Sequence, residues 1–447
     1  MPFQRNGGRR MWSIGDMKKF ILALNIVDGP LIVAAYVLSA ALCAALLMRR
    51  GPKPVAMTAL WGAAGAVVGA VTLVVAEKIL QAFGSPLDWS VRIWVIVFFT
   101  GLGVCGANFR GSGTWRKVLA SVAALCFAAT ATLGINAYYG LNVTLASFLG
   151  VSLAPRIDLG PVPPHAAAPQ KPLWETWKAP AGMPSEGSTA QVVIPPQISG
   201  FPSRPAGLYL PPAARVPNPP ALPLVVLMMG QPGDPDPQYA AAVLDDYAAH
   251  HDGLAPIVIV ADQLGDPMVD NLCLDSPLHG RPETFINRDV VDWARSHLNI
   301  IDNPKYWTIA GYSNGGQCAI SFAAKYPSVW GNVLDISGEE YPGAEDPGDN
   351  LQDVFGGNQA AYDAQKPINI MKQQKYPDTR AIFTASTDDP VYLDAARHVS
   401  AAAAAAGMTV TYYEVPNGGH VIGALNGGLN KGFEVLYPRL GLSRPTP

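Results

Sequence analysis

Apolar residues dominate the first third of the chain. Four runs, at about 31–48, 55–76, 89–109 and 118–139, are nearly free of charged side chains. Each has about the 20 residues that a helix needs to cross the hydrocarbon of a bilayer. They predict four transmembrane helices in a membrane domain spanning 1–154. Gly62, Gly65 and Gly69, with alanines between them, form a small-residue face suited to close helix packing in lipid. A cluster of buried soluble helices is the alternative; four such runs in succession, with so little charge inside, favour the membrane. The first run is long and is followed by Arg49 and Arg50, without a small-residue cleavage pattern, so a cleavable signal is not expected.

The pattern then changes twice. Residues 155–186 are rich in proline and poor in periodic apolar positions, which predicts a semi-extended linker. Trp174 and Trp177 within it suit either the membrane interface or the surface of the next domain. From 187 onward, short apolar runs alternate with stretches of helical spacing. STAQVVIP and AGLYLPP read as strands. LPLVVLMMG and APIVIVAD are continuous apolar runs, as expected of strands buried on both faces. YWTIAGYS, GNVLDISGE, TRAIFTAST and TVTYYEVPNGG are further strands, and helical spacing covers 238–250, INRDVVDWARSHLNI, NGGQCAISFAAKYP and YLDAARHVSAAAAAAG. Strands alternating with helices predict an α/β domain over 187–447, with a mainly parallel sheet and helices on both faces.

Charge narrows the function. Only 15% of the residues are charged and the net charge is −3, so no basic field for nucleic acid is present. Charge does not decide orientation. Arg49, Arg50 and Lys53 follow the first run and Arg110, Arg116 and Lys117 the third. These loops favour the cytoplasm and would put the C-terminal domain outside. Arg5, Arg9, Arg10, Lys18 and Lys19 in the N-terminal tail argue the other way. Residues 17–28 have the character of a short amphipathic segment on the membrane surface. The apolar runs contain almost no interior ionisable residue of the kind that a transport path needs, and Glu77 and Lys78 sit near a run's end. Of five cysteines, Cys43, Cys105 and Cys126 fall in the runs. Cys273 and Cys318 either pair, if their domain faces an oxidising space, or stay as two buried thiols. The histidines are scattered and the cysteines lack ligand spacing, so neither a metal nor a cofactor is expected.

The candidate chemistry centres on Gly311-Tyr312-Ser313-Asn314-Gly315, a G-x-S-x-G string between a strand and a helix. In that context the serine sits on a sharp, strained turn and acts as a nucleophile. It needs a base to take its proton. Chain order in this architecture is serine, acid, histidine. His420, in the loop after a late strand, fits the base. His297 and His398 lie in predicted helices, His250, His251 and His279 precede the serine, and His165 is in the linker. The acid belongs after TRAIFTAST, where Asp388 and Asp389 both stand. Asp389 is preferred because it sits deeper in the turn; Asp388 then caps the next helix or faces water. Two N–H groups must meet the oxyanion. The backbone N–H of Asn314 is one, and that of Gln231, in the loop after LVVLM, is the other.

Taken together, YLPPA at 209–213, LMMGQ at 227–231, FINRDVVDW at 285–293, AGYSNGGQCA at 310–319, ISGE at 336–339 and the late Asp and His resemble the esterase D family, which includes mycolyltransferases of the antigen 85 type. The resemblance spans about residues 187–440. It implies an α/β-hydrolase fold, an acyl-serine intermediate and ester chemistry. Antigen-85-type enzymes use a glutamate as the triad acid, whereas TASTDDP offers aspartates, which is more like a general esterase. Many members of the family act outside the cytoplasm, and four spans ahead of such a domain resemble envelope proteins of high-GC actinobacteria. The expectation is therefore a multi-pass membrane protein with an extracytoplasmic serine esterase domain, in contact with membrane lipids and acting on a lipid or envelope ester. An aminoacyl ester on phosphatidylglycerol is one example. Transfer of the acyl group to an envelope alcohol and a non-catalytic envelope scaffold are the alternatives.

Overall fold

The computed structural model describes residues 14–49, 51–79, 87–157, 159, 162 and 169–445. Arg5, Arg9, Arg10 and His165 lie outside the described residues. The chain divides into two compact units, Met1–Leu153 and Ala154–Pro447.

Among the described residues of the first unit, four helices are long and apolar enough to cross a membrane: Pro30–Leu47, Pro52–Ile79 (its last turn a π-turn, Val75–Ile79), Trp89–Phe109 and Thr114–Tyr139. The face formed by Gly62, Gly65 and Gly69 packs on Trp89–Phe109. A methyl group on Gly65 would lie 2.1 Å from the carbonyl oxygen of Phe99, so the two backbones approach as only small residues allow. Polar groups inside the bundle find partners within it. Ser39 and Thr130 share a 2.7 Å hydrogen bond. Arg92 donates to both oxygens of Glu77, at 3.0 and 2.9 Å. A shorter helix, Ile14–Leu22, precedes the four and covers part of the stretch read as an amphipathic surface segment.

The second unit is built on one eight-stranded sheet. Its strands are β1 (Ser188–Val192), β2 (Ala206–Leu210), β3 (Leu224–Met228), β4 (Ile257–Ala261), β5 (Trp307–Tyr312), β6 (Asn332–Ile336), β7 (Arg380–Ser386) and β8 (Thr409–Val415). Their spatial order is β1-β2-β4-β3-β5-β6-β7-β8. β2 runs antiparallel to β1 and β4, and every later pair is parallel. This is the α/β-hydrolase arrangement. Residues of β3, β4, β5 and β6 are buried without alternation, because helices cover both faces. On one face the helix Asn314–Lys325 packs against β3, β5 and β6. On the other, Ile422–Arg439 brings Gly428 against Ile336 and Thr384, and Gly432 against Leu334.

Two features differ from the sequence reading. The helix Ile422–Arg439 follows β8, where the sequence pattern predicts none. The stretch FINRDV opens its helix with a π-turn, Phe285–Val290. The described parts of 155–186 lie along the second unit, and Trp177 takes the second of the two places open to it, the surface of that domain. Ile157 donates to the carbonyl of Gln191, Val162 to that of Ser296, and the Trp177 indole N–H to that of Asp252. A proline-rich segment makes few hydrogen bonds of its own, so its remaining N–H groups dock on neighbouring backbone.

Candidate active site

Parallel strands place their C-terminal ends on one edge, and ligands of open α/β sheets bind there. β5 ends at that edge and turns directly into the helix Asn314–Lys325. Ser313 occupies the turn with φ 55° and ψ −122°, a conformation that costs a non-glycine residue about 1–3 kcal/mol. Its flanking glycines explain how the turn closes. A side chain on Gly311 would meet the oxygen of Gly315 at 1.9 Å, and one on Gly315 would meet the oxygen of Met228 at 2.2 Å. The Ser313 N–H donates to the carbonyl of Ile336 at 2.9 Å, tying the turn to β6. Ser313 is partly exposed while its neighbours are buried.

β7 and β8 deliver two further groups to the same place. His420 Nε2 lies 2.8 Å from Ser313 Oγ, and His420 Nδ1 lies 2.8 Å from Asp389 Oδ2. With a carboxylate accepting at Nδ1, the ring proton sits there and Nε2 is left to accept the serine hydroxyl. Two aromatic rings lie close to the imidazole: the Tyr392 ring stacks on it at 3.8 Å between centroids, and Tyr312 lies at 5.4 Å.

The structure thus brings Asp389, and not Asp388, to the imidazole. Asp388 is exposed. Its Oδ1 receives the Ser386 hydroxyl and, at 2.8 Å, the N–H of Gly419. Ser386 Oγ in turn receives the N–H of Gly418 at 2.7 Å. Asp388 therefore pins the glycine turn that carries His420.

The loop after β3 runs beside the nucleophile. A side chain on Gly230 would lie 3.1 Å from Ser313 Cβ. Neither the Gln231 nor the Asn314 N–H donates a hydrogen bond among the described residues. Asn314 opens its helix, where backbone N–H groups lack intrahelical acceptors.

Beneath these groups lies a lattice that the sequence reading missed. Gln263, after β4, donates through Nε2 to the carbonyl of Met229 at 2.6 Å and to Asn314 Oδ1 at 3.1 Å. Asn314 Nδ2 donates to Asp270 Oδ1 at 2.9 Å. Asn271 Nδ2 donates to the carbonyl of Gln263 at 2.6 Å. Cys273 and Cys318 form a disulfide that ties this loop to the nucleophile helix. The polar run DQLGDPMVDN at the exit of a buried strand was the available signal. Asp335, under the helix, is fully enclosed. Burial pushes its carboxyl up to about 7, although the N–H of Gly338 donates to it.

The disulfide carries a prediction. Closing a loop of 45 residues stabilises by about 4 kcal/mol in the chain-entropy picture. Reduction, or the Cys273→Ser/Cys318→Ser double variant, is expected to lower the thermal midpoint by about 10 °C. It is also expected to slow labelling of the serine by a fluorophosphonate, because the loop bracing Asn314 is freed. A midpoint and labelling rate indifferent to reductant would contradict this.

Residues 203–423 match the Esterase family model, described as "Putative esterase". The C-terminal unit belongs to this esterase family. An uncharacterized protein of Corynebacterium glutamicum is 29% identical over 398 residues, covering 86% of this chain and 90% of that protein. Among solved structures, a ferulic acid esterase is 17% identical and aligns with a TM-score of 0.48, covering 57% of this chain and 98% of its own. An S-formylglutathione hydrolase from Agrobacterium tumefaciens is 14% identical with a TM-score of 0.47, covering 57% and 97%. The match supports a hydrolase of carboxylic esters.

Proposed function

We propose that the protein is a membrane-anchored serine esterase with a Ser313–His420–Asp389 triad, acting on a lipid or cell-envelope ester. The observation that carries this reading is the unbroken 2.8 Å, 2.8 Å chain from the strained Ser313 hydroxyl through His420 to Asp389. Ser313 Oγ attacks the ester carbonyl while His420 Nε2 takes its proton. Asp389 holds the ring in the accepting tautomer and stabilises the imidazolium. The oxygen of the tetrahedral intermediate gains negative charge and is met by the N–H groups of Gln231 and Asn314. His420 then returns the proton to the leaving alcohol. Water, activated by the same imidazole, frees the acid from Ser313.

The four long apolar helices support anchoring. Anchoring confines the site near a bilayer and so favours esters of lipids or of the envelope. The Cys273–Cys318 disulfide supports an extracytoplasmic domain, since such bonds persist in oxidising compartments.

The test uses full-length protein in native membranes. A fluorophosphonate is expected to label it, and membrane lipids from cells lacking the protein are expected to accumulate an ester whose free acid is released on adding it back. If the acyl group of that ester appears instead on an envelope alcohol, the protein is an acyltransferase. Folded protein that neither labels nor turns over any ester would be a scaffold.

A further inference from the structure

Three carboxylates crowd the side of the site made by the loops after β4 and β6. Asp270 accepts from the side chain of Asn314, the residue after the nucleophile. Glu345 accepts the Tyr392 hydroxyl at 2.5 Å, and the Tyr392 ring lies on His420. Glu339 follows β6, and its neighbour Gly338 abuts the nucleophile helix at Gly316. Among the described residues, no lysine or arginine forms an ion pair with any of the three.

Glu339 sets this cluster apart from a solvated acidic patch. Its residue is 8% exposed, and its Oε2 is buried with no hydrogen-bond partner. Leaving such an oxygen unpaired is costly, so native sites rarely keep one without a use. Burial, then Asp270 and Glu345, hold its carboxyl well above the ordinary range, against the opposing pull of the Ala344 backbone N–H. Burial also raises Asp270, and it lowers His279, which faces Asp270, so that this imidazole supplies no standing positive charge. An arriving cation with N–H donors would fill the orphaned oxygen and let the cluster ionise.

The geometry points to Asp270, Glu339 and Glu345 as an ammonium subsite, so that the acyl group passed to Ser313 carries a free primary amine, as in an aminoacyl ester. This deepens the hydrolase reading above and rests on it. A primary ammonium fits because the orphaned oxygen needs an N–H donor, which a trimethylammonium lacks. The acyl half is assigned because Glu339 stands three residues beyond Ile336, whose carbonyl accepts the Ser313 N–H, and the acyl group stays on Ser313 through the covalent stage. A short tether follows from the framework: one side chain separates Asp270 from the nucleophile's neighbour, and one ring separates Glu345 from the base.

The test compares three naphthyl esters with full-length protein in detergent: alanyl, N-acetylalanyl and isobutyryl. Isobutyryl replaces the ammonium by a methyl group of similar size. Each kcat/KM is divided by the ester's own rate with hydroxide, which removes intrinsic reactivity. The alanyl ester is expected to lead the other two by at least about tenfold, the scale of a charge-assisted hydrogen bond. Glu339→Gln is expected to collapse the alanyl-to-isobutyryl ratio towards one, and Glu345→Gln to lower it partly. A general loss of folding would move both esters together and leave the ratio alone, and the acetylated ester asks the same question of the unaltered protein. A wild-type ratio near one, or a ratio untouched by acetylation and by Glu339→Gln, overturns the subsite while leaving the esterase standing. No turnover of any of the three by folded protein counts against the esterase reading itself.

Discussion

Ser313→Ala is expected to lower kcat/KM for ester hydrolysis by about four to six orders of magnitude and to remove fluorophosphonate labelling completely. Ser313 holds φ 55° in the turn between β5 and its helix, and the close approaches of Gly311 and Gly315 leave that turn no freedom to relax. Alanine tolerates this conformation no better than serine, so the fold is expected to survive with a similar thermal midpoint. The loss then reports chemistry. Without Oγ, His420 has no nucleophile to deprotonate, and only binding and the oxyanion donors remain. Those alone still accelerate hydrolysis by roughly 10³–10⁴ over water in comparable sites. A second consequence is sharper. The Ser313→Ala/His420→Ala double variant is expected to cost little more than either single one, because groups that act as a unit lose their effect together. Separate, additive losses would mean that the two residues do not cooperate.

How much of this could be read before the structure depends on the kind of signal. LVVLM and IVIVA announce strands because a strand buried on both faces has no polar alternation to obscure it. Ser313 stands out through its glycines, whose purpose is local. His420 and the DDP turn were reachable because a fixed chain order restricts the choice. What escaped was of two sorts. The helix Ile422–Arg439 contains IGALNGGLNKG, a poor helix former. Its glycines serve the sheet: Gly428 and Gly432 let it lie directly on Ile336, Thr384 and Leu334, and that need is invisible from the helix alone. The lattice under the site was also hidden. Gln263 and Asn314 are 51 residues apart in the chain, and Asp270 and Asn314 are 44 apart, so neither bond has a periodicity to betray it. Glu339 reads in sequence as the end of a strand, ISGE. Its lack of a partner exists only in three dimensions.

Adjacent aspartates give the second large effect, and they are expected to behave very differently. Asp389→Asn is expected to lower kcat/KM by about 10⁴, while Asp388→Asn costs less than about tenfold. At 389 the carboxylate accepts the Nδ1 proton of His420. An amide there can turn its NH₂ towards Nδ1, which moves the ring proton to Nε2. That proton then points at Ser313 Oγ, and the imidazole can no longer accept the serine hydroxyl. The geometry is kept and the function is lost, so the midpoint should barely change. At 388 the carboxylate acts on backbone, receiving the N–H of Gly419 and the Ser386 hydroxyl. An asparagine oxygen can still accept both, and the turn that carries His420 holds. Parallel measurement of kcat/KM, fluorophosphonate labelling rate and thermal midpoint for the two variants checks the pair. If Asp388→Asn proved the more damaging in rate, with both proteins folded, Asp388 would have to reach the imidazole during turnover. The assignment of Asp389 as the orienting acid would then fall.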